Sequence, residues 1–224
     1  MRKSLLFSAL CALVAAPLAH ADKAAKAVNL PVLEGKKNDL TIQFVRYTGG
    51  TNGEMIVKIA NRGKKIEQFD ATGIYFVPEG DPEKAPQRLG AAGPFKVKKG
   101  NKLEAAESLA LKPGESRELH LQVFCIDSHR SSPSASHRFG IAAKRMPKKL
   151  RETIKAGAAD AIKAEKGSVS KAKGRIQSHV WKSRDSKWIK LQGERKLEKA
   201  PSKGRRYNRR DIRQEQRQMR DALH

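Results

Sequence analysis

The residues in this chain that could do chemistry gather late. Cys125 is followed by Asp127, His129, Arg130 and His137, and Gln177 and His179 come further along. A cysteine becomes a nucleophile when a neighbouring base or positive charge lowers its pKa, and Arg130 with His129, His137 or His179 would supply such surroundings. No third group that would orient the base stands out. The same residues invite a metal reading. A blue-copper centre needs a histidine upstream and a methionine soon after the cysteine; His120 suits the first place, but Met146 is too distant for the second. Zinc would want a C-x-x-C pair or a compact histidine pair, and the chain has neither. No metal and no cofactor is expected. Asp127, Ser128, Ser131, Ser132 and Pro133 suit a loop that turns away after a strand.

The stretch that carries the cysteine, Leu119 to Ser134, begins as a strand. Alternation puts Leu119, Leu121, Val123 and Cys125 on one apolar face and His120, Gln122, Phe124 and Ile126 on the other. Cys125 is therefore expected first as a core residue, packing as a small hydrophobe.

Other runs must form the sheet that receives this strand. Leu40–Tyr47 alternates Leu40, Ile42 and Phe44 against Thr41, Gln43, Val45 and Tyr47, and Met55–Ala60 follows after turn residues, so the two read as an antiparallel pair. Ile66–Val77 supplies one or two further strands broken at Gly73, Phe95–Val97 a short one, and Leu109–Leu111 another before the Lys112-Pro113-Gly114-Glu115 turn. Short strands joined by Gly and Pro turns predict a mainly β chain, an antiparallel β-sandwich-like domain over residues 28–145. The period then changes. Pro147 suits a first helical turn, Leu150, Ile154, Ala158, Ala161 and Ile162 recur at helical spacing, and after Gly167 a second stripe of Val169, Ala172, Ile176 and Val180 appears with Trp181 beside it. Residues 146–190 are thus expected as a helical extension packed on the sheet.

The ends carry the address and the charge. Arg2 and Lys3, an apolar run from Leu5 to Leu18 and the Ala19-His20-Ala21 trio predict a secretory signal peptide over residues 1–21. Its removal takes Cys11 and lowers the formal charge from +24 to +22. Residues 22–28 read as a flexible lead-in. No later run approaches the ~18 apolar residues of a membrane span, so export points to the periplasm, the cell surface or the medium. Only 5% of residues are aromatic and apolar residues thin out after about Leu191, so the core must lie before it. Residues 193–224 form a basic tail expected to be disordered, with a short helix over 208–222 started by Asn208. Arg205, Arg206, Arg209, Arg210, Arg213, Arg217 and Arg220 would bind polyanions by counterion release. Tyr207 is the tail's one aromatic, too few for a single-strand stacking platform. Anionic envelope polymers, membrane headgroups or extracellular DNA are the expected partners.

Two resemblances converge on the cysteine strand. Val57–Gly63 (VKIANRG), Gln87-Arg88, the strand end Val123-Phe124-Cys125-Ile126-Asp127, Arg130 and Gln177-Ser178-His179-Val180-Trp181 together resemble the ARG and rhodanese-phosphatase-superfamily associated protein domain, over about Asn29 to Trp188. That family carries a strand-terminal cysteine with a following acidic residue and arginine, and a downstream Q-x-x-V-W. Phe124-Cys125 and Ile176-Gln177-Ser178-His179-Val180-Trp181 are also similar to the two half-motifs of bacterial surface thioester domains. This second resemblance implies attack of the Cys125 thiolate on the Gln177 carboxamide, loss of ammonia, and an acyl group that amines on a protein surface would capture. The sequence thus predicts an exported binding or structural envelope protein with a polycationic surface. Its alternative is a reactive-cysteine protein, either that thioester or a cysteine-dependent enzyme using Cys125 with His129 or His179.

Overall fold

The computed structural model describes residues 25–33, 37–50, 53–81, 85–128 and 130–185. Its elements in chain order are β1 (Val28–Asn29), β2 (Leu40–Tyr47), β3 (Glu54–Asn61), β4 (Glu67–Phe69), β5 (Tyr75–Pro78), β6 (Leu89–Lys99), β7 (Lys102–Ala106), β8 (Leu109–Leu111), β9 (Ser116–Cys125), β10 (Phe139–Ile141), α1 (Lys148–Ala164) and α2 (Val169–Asp185). One sheet has the order β1-β2-β3-β9-β6-β5-β10, with β7 added on β6, and a second pairs β4 with β8. Every pairing is antiparallel. The large sheet curls until its ends approach, and the Phe139 ring of β10 meets Phe44 and Tyr47 of β2 at centroid distances of 6.1 and 5.6 Å. The small sheet covers the inner face, with Phe69 edge-on to Phe95 at 5.3 Å and Leu111 in the same core. The chain is mainly β, a nearly closed, sandwich-like antiparallel barrel with two helices at its C-terminal side.

Three local features depart from the expected strand pattern. Strict alternation in β2 sends Tyr47 outward, yet Tyr47 is 3% exposed. The register to β3 shifts between Phe44 and Arg46; the extra residue, Val45, turns outward and returns Tyr47 to the core. Strand β6 is much longer than the expected Phe95–Val97, because Gly93 (φ +135) and Pro94 lie inside a second bulge between Ala91 and Phe95 and do not end the strand. The lead-in is also partly anchored. Ala25 packs on the core, its carbonyl accepts from Gln43 Nε2 at 2.8 Å, and β1 pairs with β2.

Strand β9 is central, paired with β3 on one side and β6 on the other. As its alternation predicts, Leu119, Leu121, Val123 and Cys125 lie in the barrel core. Phe124 and Ile126 face the opposite way, into a second core with Leu150, Ile154 and Ala158 of α1 and Ala172, Ile176 and Val180 of α2. The helices fold back on each other at Lys166 (φ +53) and Gly167 (φ +83), where the Gly167 N–H closes the last turn on the Ile162 carbonyl at 2.9 Å. Pro147 stands just ahead of α1 as its N-cap.

Candidate functional site

The junction of β6, β9 and α2 holds the densest buried polar chemistry of the described residues. It follows from a mismatch of strand lengths. β3 accompanies β9 only as far as the Glu54–Gln122 pair, whereas β9 runs on to Cys125. The Ile126 N–H bonds the Arg88 carbonyl at 2.9 Å, so by antiparallel alternation the Cys125 N–H and C=O point away from β6, to the side that β3 has vacated. Gln177 of α2 fills that place. Its Oε1 accepts from the Cys125 N–H at 2.8 Å, and its Nε2 donates to the Cys125 carbonyl at 2.7 Å. One carboxamide thus stands in for a neighbouring strand's peptide group.

One residue further on, a buried ion cluster takes over. Asp127 accepts from Arg88 three times, from Nε at 2.8 Å, Nη2 at 2.6 Å and the backbone N–H at 3.0 Å. Arg184 of α2, with no exposed side-chain surface, brings a second guanidinium to within 3.6 Å of the same carboxylate. Around them Trp181 Nε1 donates to Gln87 Oε1 at 3.1 Å and Ser128 Oγ to Asp185 Oδ2 at 2.7 Å. Gln87, Arg88, Cys125, Asp127, Gln177 and Trp181 therefore meet at a single joint. Arg130 sits beside it, donating to the Ala85 carbonyl at 3.0 Å.

Electrostatics at the joint favour structure over reactivity. Burial, and after it the Asp127 charge, pushes the Cys125 thiol up to about 12. A thiol held neutral at physiological pH is a poor nucleophile. Burial alone would raise the Asp127 carboxyl, but hydrogen bonds and charge from Arg88, with Arg184 behind, hold it below the ordinary carboxylate range. The Cys125 side chain lies in the barrel core, while both polar atoms of Gln177 are occupied by the Cys125 backbone.

The other candidates lie apart. His179 is on the helical hairpin, its Nε2 2.9 Å from the Thr153 carbonyl, over Gly157, where any Cβ would run into its ring. His137 belongs to a turn, its Nδ1 accepting from the Ser134 N–H at 3.0 Å. His120, opposite in parity to Cys125, bonds Glu54 at 3.0 Å through Nδ1; that carboxylate also accepts from Lys96 and Gln122, both at 2.7 Å. Among the described residues, no three of His, Cys, Asp and Glu are grouped as a metal ion would require. His129 and the arginines Arg205, Arg206, Arg209, Arg210, Arg213, Arg217 and Arg220 lie outside the described residues. Sequence reading passed over Arg184, although a signal exists: Arg184 continues the stripe Ala172, Ile176, Val180 at a spacing of four, and an arginine on a buried stripe implies a buried carboxylate.

Fold and site together define a curled antiparallel β domain whose central strand is locked to a helical hairpin by a buried polar joint. No protein-family model matches the chain, and no curated protein and no solved structure is found similar to it. Among the described residues no helix is long and apolar enough to cross a membrane.

Proposed function

We propose that this chain is an exported envelope protein that binds anionic polymers through a basic surface, without turnover chemistry. The observation that carries the reading is the outward face of the hairpin. Lys148, Lys149, Lys155 and Lys163 of α1 and Lys171, Arg175 and Lys182 of α2 are exposed, against Glu152 and Asp160 as exposed acids on the same helices. This excess of cations continues in sequence into the basic residues 193–224. Lys148 is shared with Glu152 at 4.0 Å and Arg175 with Glu165 at 2.8 Å, and exposed ion pairs of that kind contribute little and exchange readily with a polyanion. Because the apolar stripes of both helices are already buried on the sheet, attraction to a membrane would act through headgroup charge, not insertion.

The test is retention on an acidic polymer such as heparin across a salt series. Intact protein should bind tightly at low salt with a steep salt slope, and deletion of residues 193–224 should flatten the slope while leaving the unfolding midpoint unchanged. No retention at low salt, or retention independent of salt, would sink the reading.

A further inference from the structure

The sheet does not close completely. Where β2 and β10 approach without pairing, a cleft of about 340 Å³ opens between the β2 bulge and residues 135–138. Its size lies at the lower end of the range for small-molecule sites, roughly 300–1,000 Å³. Ala25 of the anchored lead-in lines one part, and elsewhere Ala135 is held by Gly49, whose left-handed backbone (φ +84) brings it so close that a Cβ there would strike the Ala135 amide. A space of this size suits a compact ligand.

The wall has two characters. Val45, 45% exposed because the bulge turns it out of the core, offers apolar surface, with the nearly buried Phe44 and Tyr47 behind it. Arg46 and Arg138 are the cationic residues of the cleft's lining. Arg138 Nε lies 3.5 Å from Glu79 Oε2, both side chains being partly exposed. His137 adds a directed donor. Its Nδ1 accepts the Ser134 N–H, so in the neutral ring the proton is on Nε2.

We propose that this seam cleft is a binding site for a small organic carboxylate with an apolar body, such as an aryl or branched-chain acid. A guanidinium matches a carboxylate in a two-bond fork, and the bulge gives the hydrocarbon a surface to cover. Inorganic phosphate would leave that apolar wall wet. The site is distinct from the hairpin surface, since β2 and β10 lie toward the two ends of the sheet while the helices pack over β6 and β9.

Benzoate titrated into the full chain by calorimetry tests it, with benzamide and inorganic phosphate as comparisons. The expected result is saturable binding of one benzoate, with both comparison ligands about tenfold weaker or worse, benzamide through loss of a charge-assisted hydrogen bond and phosphate through loss of the apolar contact. Arg46→Ala and Val45→Trp, both at exposed positions, should each weaken benzoate about tenfold or more, whereas Lys102→Ala, which removes one positive charge on β7, should change nothing. Absence of saturable binding, equal affinity for benzamide or phosphate, or equal effects of Arg46→Ala and Lys102→Ala would overturn the site. If one cleft variant fails to fold, the other and the wild-type ligand comparison decide the matter.

Discussion

Replacing Gln177 by Leu isolates the contribution of the carboxamide that completes β9. The variant keeps a side chain of similar volume and removes both hydrogen bonds, at 2.8 and 2.7 Å, to a buried backbone. The Cys125 N–H and C=O would then be left without partners where β3 no longer reaches them. Leaving a buried polar group unmatched costs about 1–3 kcal/mol. Two such groups, less about 1 kcal/mol regained by burying an aliphatic side chain, give an expected loss of about 1–5 kcal/mol. That is a large share of a typical 5–15 kcal/mol total. In urea unfolding the midpoint should fall with the slope unchanged, and the Cys125 amide should lose protection against hydrogen exchange more than the amides of β3. Gln177→Glu makes the direction of the second bond visible, because an oxygen would replace Nε2 opposite the Cys125 carbonyl. It should destabilise strongly at neutral pH and less in mild acid, where the carboxyl can donate a proton. A loss below about 0.5 kcal/mol for Gln177→Leu, within the range of ordinary surface substitutions, would refute the clamp. So would an intact mass of the wild-type chain one ammonia below the calculated value that takes up methylamine, because the Nε2 donor would then be absent.

Three other outcomes follow from the same geometry. Asp127→Asn leaves the Arg88 and Arg184 charges buried without their carboxylate and should cost about 3–5 kcal/mol in chemical denaturation. In the wild type this carboxyl is depressed, so its contribution is present above the unfolded value of about 3.9 and is lost as pH falls through the lower folded value, a loss the variant should lack. Cys125 should react with a thiol reagent only after unfolding, and because its folded value is raised to about 12, its contribution is full below an unfolded pKa of about 8.5 and fades as pH rises through that window. Gly157→Ala should destabilise despite a gain in helix propensity of about 1 kcal/mol, because its Cβ meets the His179 ring; with His179→Ala already in place, the same change should become stabilising by about that amount.

What the sequence reveals of this protein is set by the range of the interactions involved. The faces of β9 follow from alternation alone, so Cys125 in the barrel and Phe124 under the helices could be read directly. Helical stripes are equally local, which is why Leu150, Ile154, Ile176 and Val180 fall where their spacing puts them. The phase of Tyr47 depends on a bulge opposite β3, and nothing within Leu40–Tyr47 announces it. Gly93-Pro94 reads as a stop because those residues usually end strands; only the β9 register shows that β6 continues past them. The role of Gln177 is more distant still, since it depends on β3 ending short of the strand that it accompanies.

The polar character of the joint has a consequence for the surface beyond it. An apolar stripe such as Ala172, Ile176 and Val180 can seat on a sheet in several neighbouring positions at similar free energy, because apolar contacts are not directional. The Gln177 carboxamide can satisfy both Cys125 groups in only one position, and Arg184 reaches Asp127 only when α2 holds the corresponding rotation. Buried polar groups of this kind are best attested as devices that fix register, even where they add little net stability. Here the fixed quantity is the rotation of α2 about its own axis. That rotation keeps Lys171, Arg175 and Lys182 turned outward. If the cationic face binds polyanions as proposed, the cysteine strand bears on that binding indirectly, as the fixed point from which the face is presented.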